Sequence, residues 1–358
     1  MKEKIREVLK SFGFDSEAKA YGNGHINDTY ILEDSNYILQ KINTSIFQNP
    51  DELMENIENV TEFLKEKIVQ AGGDPERETL SVVKTVDQKP YCKAADGSVY
   101  RMYKFIDHTR TVESNATEDD LYYAGIGFGK FQKMLSDFPV EKLYETIPNF
   151  HHTPKRVEAF EAAVKEDRAG RAAGVQKEIE FALSFAKEAD VVLKGMEEGS
   201  ILTRVTHNDT KINNILFEAD SNEAVCVIDL DTVMPGSLLY DVGDALRVGG
   251  ATAAEDETDL EKVHFNEKAF EAFIKGYLKE MNGVLTEREM ELLPFGVRLM
   301  TYECGIRFLG DYLNGDVYFK IHREHHNLDR ARTQFKLVAE LAEKEELMKA
   351  AVARCLSC

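Results

Sequence analysis

Between Ile201 and Asp231 the chain reads ILTRVTHNDTKINNILFEADSNEAVCVIDLD. An apolar run from Ile201 to Val205 leads into a polar loop. A second apolar run, from Ala224 to Leu230, carries an acid, Asp229, near its end. Both runs are short and rich in β-branched residues, so both are predicted to be strands. The loop holds His207, Asp209 and Asn214 in the order H-x-D-x4-N. That spacing alone arises by chance. With a strand on either side and Asp229 at the close of the second, it constrains the chain to a unit that presents several oxygen-bearing side chains together.

Such a set suits phosphoryl transfer. One Asp can meet an acceptor hydroxyl, while an Asn and a second Asp are hard oxygen donors of the kind magnesium takes beside nucleotide phosphates. Asp209 is therefore the expected acid–base group, and Asn214 and Asp229 the expected magnesium ligands, with ATP as co-substrate. The transition state is loose and proton removal late, so a carboxylate of near-ordinary pKa suffices at Asp209. His207 is expected to be structural, bonding backbone or Asp229. Lys211 either neutralises phosphate charge or is a solvated loop lysine. Asp231 shares the side of Asp229 if the strand persists, as a supporting acid or a contact to a substrate hydroxyl. Asp241 and Asp244, in LLYDVGDALR, are expected to cap the following helix. The pattern points to a small-molecule kinase.

The first hundred residues read as β-rich with one helix. Asp28–Leu32 and Tyr37–Ile42 flank a polar turn, a predicted hairpin, and Leu53, Ile57, Val60 and Leu64 follow at helical spacing. After residue 110 long helical patterns dominate: 118–135, 156–165, 177–196, 266–281, 286–311 and 328–354. The expected fold is α+β and bilobal, protein-kinase-like. A small β-rich nucleotide-binding lobe would span 1–104, and a larger, mostly helical catalytic and substrate-binding lobe 105–358. The crossing segment falls near Tyr103–Thr109, and ligands in such a plan bind between lobes.

Ahead of the hairpin, Tyr21-Gly22-Asn23-Gly24-His25-Ile26-Asn27-Asp28-Thr29 has the glycines that let backbone amides approach phosphate, since no Cβ intrudes. His25 and Asn27 could reach the same ligand. Gly125-Ile126-Gly127-Phe128-Gly129-Lys130 looks similar, but it lies within a helical pattern. There the glycines are expected to permit close helix packing, at about 1 kcal/mol of helix propensity each.

The formal charge is −20, from 64 acids against 44 bases. A field of that sign repels nucleic acid and anionic membrane, so neither is an expected partner. No 18-residue apolar run exists, and the N-terminal MKEKIREVLKSFGF is an amphipathic pattern without the apolar centre of a signal peptide. Five scattered cysteines form no disulfide framework. The terminal CLSC reads as a polar tail. A cytoplasmic protein, monomeric or weakly homodimeric, is expected. Glu303, Arg307 and Asp311 repeat every four residues and could form an exposed ion-pair ladder. His322, His325 and His326 read as a solvated helix start.

The segments YGNGHINDTY, YILQKINTSIF, YKFIDHT, VTHNDTKINNIL, IDLDTVMPGSLLYDVGD, KVHF, ELLPF and ECGIRFLGDYL occur in this order. On these the chain resembles the aminoglycoside phosphotransferase and choline kinase superfamily, and within it the bacterial N-acetylhexosamine 1-kinases. The resemblance implies ATP- and magnesium-dependent phosphorylation of the anomeric hydroxyl of N-acetylglucosamine or N-acetylgalactosamine. It carries the acid–base role to Asp209 and metal binding to Asn214 and Asp229. His25, Arg307 and Tyr318 would hold the sugar, with Asp231 a further candidate. Gly22, Gly24, Asn27, Thr29, Gln40, Tyr103, Phe105 and Ile106 make up the expected nucleotide-binding set.

Two departures stand out. Gln40 occupies the place where many superfamily members carry a phosphate-gripping cation, and Lys41 falls on the opposite strand face. Arg247-Val248-Gly249 lacks the aromatic that follows the arginine in those kinases. The alternatives are a kinase acting on choline, an aminoglycoside or methylthioribose, and a nucleotide-binding regulatory protein without turnover. A cationic acceptor asks for an acidic cluster or an aromatic cage, and the chain has no Trp.

Overall fold

The computed structural model describes residues 2–22, 26–33, 36–113 and 116–357. The chain divides into two compact units. Met1–Thr111, Met134–Pro148 and Asn213–Pro235 form the first, and Val112–Lys133, Asn149–Ile212 and Gly236–Cys358 the second. The fold is mixed α+β, sheet-rich in its N-terminal part and helical in its C-terminal part.

The first unit is built on an antiparallel sheet. Its strands are β1 (Ala18–Ala20), β2 (Asp28–Leu32), β3 (Tyr37–Ile42), β4 (Val82–Val83), β5 (Cys92–Lys93) and β6 (Val99–Lys104). Their order is β1-β2-β3-β6-β4, with β5 also paired to β6. The predicted hairpin is present with the predicted bounds, while β1, only three residues long, carried no sequence signal. Helix α1 (Lys2–Ser11) buries Ile5, Val8 and Leu9 against Leu32, Leu39 and Met102 of the sheet. Since side chains alternate along a strand, Gln40 and Arg101 lie on the other face. Register aligns Thr29, Gln40 and Arg101 in a row across β2, β3 and β6. Helix α2 (Pro50–Gln70) starts at an Asn49 cap with Pro50 at its first position and buries Leu53, Ile57, Val60 and Leu64.

A second small sheet of this unit pairs Thr109–Arg110 with Ile215–Glu218, and the latter with Ala224–Val227. The strand Ile215–Glu218 was missed in the sequence because it is short and sits between polar stretches. Strand Ala224–Val227 is shorter than expected: Asp229 takes a left-handed conformation, φ 60°, and a 3-10 turn follows at Leu230–Thr232. The strand does not persist to Asp231.

The second unit is helical. Helix Leu293–Asn314 runs through it, and Ile306, Leu309 and Leu313 join Val157, Phe160 and Ile179 in one core. The pattern expected over 286–311 is two helices, Glu287–Glu291 and Leu293–Asn314. Pro294 explains the break: it has no N–H to continue the preceding helix, and it sits in the first turn of the next, where none is needed. The glycines of helix Glu118–Met134 do serve packing. A Cβ at Gly125 would lie 2.2 Å from the carbonyl oxygen of Phe273, and one at Gly276 1.9 Å from that of Tyr122. Among the described residues no helix is long and apolar enough to cross a membrane.

Candidate active site

In the second unit the buried strand Arg204–Thr206 delivers the chain to His207, which is fully buried. The backbone N–H groups of His207 and Asn208 both donate to the Asp241 carboxylate, at 2.9 and 2.7 Å. Gln132 Nε2 donates to the same carboxylate at 2.7 Å, and Tyr277 donates to Gln132 Oε1. Thr210 Oγ1 donates to the Asp241 carbonyl. Asp241 was expected to cap the helix Leu238–Gly249. Ser237 caps it instead, accepting from the Leu239 N–H. Asp241 instead fixes the loop. Burial pushes its carboxyl pKa up, and the donors from His207, Asn208 and Gln132 pull against that shift.

His207 Nδ1 accepts from the Asp209 N–H at 3.2 Å, so this nitrogen carries no proton. Its ring lies edge-on to Phe128 and Phe131 at 6.0 and 6.1 Å. Both features fit the structural role expected of it. Asn208, at φ 65°, turns the chain so that Asp209 emerges partly exposed. Lys211 Nζ pairs with Asp209 Oδ1 at 2.8 Å. Burial would lower the Lys211 pKa, but the charges of Asp209 and Asp244 raise it, so the lysine is a cation beside Asp209.

The chain passes from the second unit to the first between Ile212 and Asn213. There the Ile228 N–H donates to the Asn214 carbonyl at 2.9 Å, joining the turn that carries Asp229 to the residue expected to share its metal. Among the described residues no group of three His, Cys, Asp or Glu gathers as a metal site. Magnesium does not need one: an amide oxygen and a carboxylate, completed by phosphates and waters, suit it. A buried hydroxyl nearby also fits a ligand. Among the described residues Tyr103 Oη has no hydrogen-bond partner; burial raises its pKa, Arg101 opposes that shift, and the charges of Asp231 and Asp229 add to it.

Three of the residues expected to bind nucleotide, Asn27, Thr29 and Gln40, share a network in this unit. Gln40 Nε2 donates to Thr29 Oγ1 at 3.2 Å. Arg101, which sequence reasoning passed over, donates from Nε and Nη2 to Gln40 Oε1 at 3.0 and 2.9 Å. Its Nη1 pairs with Asp231, whose other oxygen accepts from Asn27 Nδ2 at 2.6 Å. Burial alone would depress the Arg101 pKa; Asp231 above all, and Asp229 more weakly, push it up. The signal was present in VYRMYK, where Arg101 interrupts the apolar run ahead of the terminal Lys104. Asp231 is only 3% exposed. Lys41 does lie on the other face, pairing with exposed Asp28 at 3.6 Å. Gly22 has φ 72° and open space where a Cβ would stand. Phe105 meets Tyr21 edge-on at 6.0 Å, and Ile106 is buried. Gly24 and His25 lie outside the described residues.

The expected sugar-binding side chains Arg307 and Tyr318 belong to the second unit. Arg307 sits over the Phe319 ring at 5.5 Å, and Tyr318 is 71% exposed. The supposed exposed ladder is not one. Glu303 is buried and accepts from Thr153 Oγ1 at 2.7 Å, with His151 Nδ1 at 2.9 Å. Asp311, also buried, accepts from the N–H groups of Val317, Tyr318 and Phe319 and so shapes the loop that presents Tyr318. Arg156, unassigned from sequence, has its pKa lowered by burial and then by Arg307, which places two guanidiniums in one neighbourhood. His326 is no solvated helix start: it is buried, with Nε2 2.9 Å from Asp256.

Residues 17–277 match the model of the phosphotransferase enzyme family. Solved structures similar in fold include a microcompartment-associated aminopropanol kinase. It is 14% identical, with 96% of this chain and 98% of that one covered and a TM-score of 0.59. A spectinomycin phosphotransferase solved with ADP and spectinomycin is also 14% identical, covering 97% and 98%, with a TM-score of 0.61. An ethanolamine kinase of Plasmodium vivax is 14% identical, covering 92% and 83%, with a TM-score of 0.55.

Proposed function

The chain belongs to the phosphotransferase enzyme family, and from that premise we propose that it transfers the terminal phosphoryl group of ATP to the anomeric hydroxyl of an N-acetylhexosamine. The observation that carries the reading is the loop His207–Asn214. Asp241 fixes its start, Asp209 emerges at its middle, and its end is bonded to the turn bearing Asp229.

Asp209 accepts the proton of the acceptor hydroxyl as the new bond to phosphorus forms. Its ion pair with Lys211 favours the ionised state that this task needs. An anomeric hydroxyl is more acidic than other sugar hydroxyls, which suits a weak carboxylate base. Asn214 and Asp229 would hold a divalent ion, which when bound neutralises charge on the nucleotide phosphates. Arg307 and Tyr318 hold the acceptor. The local charge, the guanidiniums of Arg156 and Arg307 against the Glu303 carboxylate, supports a neutral acceptor over a cationic one.

The test is product NMR after incubation with MgATP and, separately, N-acetylglucosamine, N-acetylgalactosamine, spectinomycin, ethanolamine and choline. A phosphorus–C1 coupling with an N-acetylhexosamine is expected. Phosphorylation of a cationic acceptor alone sinks the sugar assignment. No turnover on any acceptor, while MgATP still binds, favours a nucleotide-binding regulatory protein. For Arg307→Ala, a sugar oxygen left unpaired should cost about 1–3 kcal/mol, roughly tenfold to a hundredfold in kcat/KM.

A further inference from the structure

The face of β3 that carries Gln40 has no cation, Lys41 lying on the other, but one stands on the neighbouring strand. Arg101 is the one buried cation among the described residues of the first unit. It stands directly opposite Gln40 in the β3–β6 register and holds that amide by its oxygen through two donors. The Gln40 nitrogen is thereby turned toward Thr29. With its remaining arm Arg101 holds Asp231, which Asn27 holds from the other side. Asn27 in turn accepts from the Asn43 N–H at 3.0 Å, just beyond the end of β3. Tyr103 stacks with the guanidinium at 5.2 Å and restricts its swing. Glutamine at position 40 and arginine at 101 thus behave as one group: a charge supplied by β6 with a neutral amide at its tip.

We propose that Arg101 is a positioning residue that replaces the missing strand cation. Through Asp231 it fixes the turn carrying Asp229, and through Gln40 it orients an amide donor for the nucleotide phosphates. Asp229 sits in a left-handed conformation, uncommon for a residue with a Cβ although Asp takes it more readily than most. The Arg101–Asp231 pair is a buried anchor two residues along the chain from it. An arginine is needed because a lysine has no planar fork with which to serve Gln40 and Asp231 at once. The inference rests on the proposed role of Asp229 in metal–nucleotide binding.

The experiment measures ATP binding by calorimetry with and without Mg2+, beside thermal unfolding, so no acceptor is required. Wild-type protein should bind ATP more tightly with Mg2+ than without. If it does not, the reading of Asp229 fails, and the inference with it. Given that dependence, Arg101→Lys should weaken MgATP binding about tenfold while changing metal-free ATP binding less than threefold. Should Arg101→Lys not fold, the double variant Arg101→Gln/Asp231→Asn decides, since it leaves no buried charge unpaired. It should stay folded and show the same selective loss, and adding Gln40→Lys should restore at least half of it. A merely structural role lowers Tm and leaves the magnesium dependence unmoved. That result, a double variant that binds like wild type, or one that cannot fold would overturn the proposal.

Discussion

At the scale of single residues, Asp241 decides where Asp209 stands. Its carboxylate accepts from two consecutive backbone amides and from Gln132, all buried. An asparagine there has one acceptor oxygen, so one of those donors must face another donor. Leaving it unpaired costs about 1–3 kcal/mol. Asp241→Asn should therefore lower Tm and reduce kcat about tenfold or more, while MgATP affinity stays within about twofold. Steady-state kinetics and calorimetry check the split, and an unchanged kcat would show that the loop holds itself. Asp209→Asn removes the proposed proton acceptor together with the Lys211 ion pair, and should abolish turnover with at most a small loss of Tm. Asp209, Asn214 and Asp229 were legible from sequence because their order and spacing lie within one short segment. Asp241 and Arg101 were not, because their partners lie far along the chain and only folding brings them together. Arg101 in particular looked like any strand cation until register set it against Gln40.

At the scale of elements, glycine controls how helices of the second unit approach. Gly125→Ala gains about 1 kcal/mol of helix propensity. It also forces a methyl onto the Phe273 carbonyl, and overpacking typically costs about 1–3 kcal/mol, so backbone must shift. Net destabilisation is expected, with Tm lower by a few degrees. Gly174→Ala, where nothing lies within 4 Å of the added carbon, should leave Tm unchanged. A second element-level test concerns the helix His326–Glu343. Glu340 accepts from the Phe265 N–H at 2.8 Å and pairs with His264 and Lys336. Burial opposes its charge, but these partners hold its pKa down to about 2. A carboxyl lowered on folding stabilises fully above its ordinary pKa and loses that contribution as pH falls toward the folded value. Between about pH 4.5 and 2, Glu340→Gln should therefore show a shallower loss of stability than wild type. At neutral pH it should cost about 1–2 kcal/mol after solvent screening. Urea titrations at pH 5 and 3 read the difference, and parallel slopes would count against this linkage.

At the scale of the whole molecule, the formal charge of −20 opposes the approach of a net-negative MgATP complex. Screening shortens that field, the Debye length falling to about 8 Å at 0.15 M salt. Raising salt from 0.05 to 0.5 M should therefore speed MgATP association roughly two- to threefold, and leave kcat/KM for a neutral sugar flat. Stopped-flow binding measures the first; slower association at high salt would mean that local cations outweigh the global charge.

The sequence by itself determined the fold class, the β2–β3 hairpin, the helices Glu118–Met134, Thr153–Glu166 and Glu267–Met281, and the order of the Asp209, Asn214 and Asp229 groups, while the stretches expected over 177–196, 286–311 and 328–354 are each broken into two or more helices. Periodicity and motif spacing are local, and short stretches of chain suffice to express them. Only the tertiary structure decided that Ala224–Val227 stops short of Asp229, that Glu303 and Asp311 are buried supports rather than a surface ladder, and that Arg101 joins Gln40 to Asp231. Those outcomes depend on which distant partner satisfies a buried charge, and spacing along a chain carries no record of that.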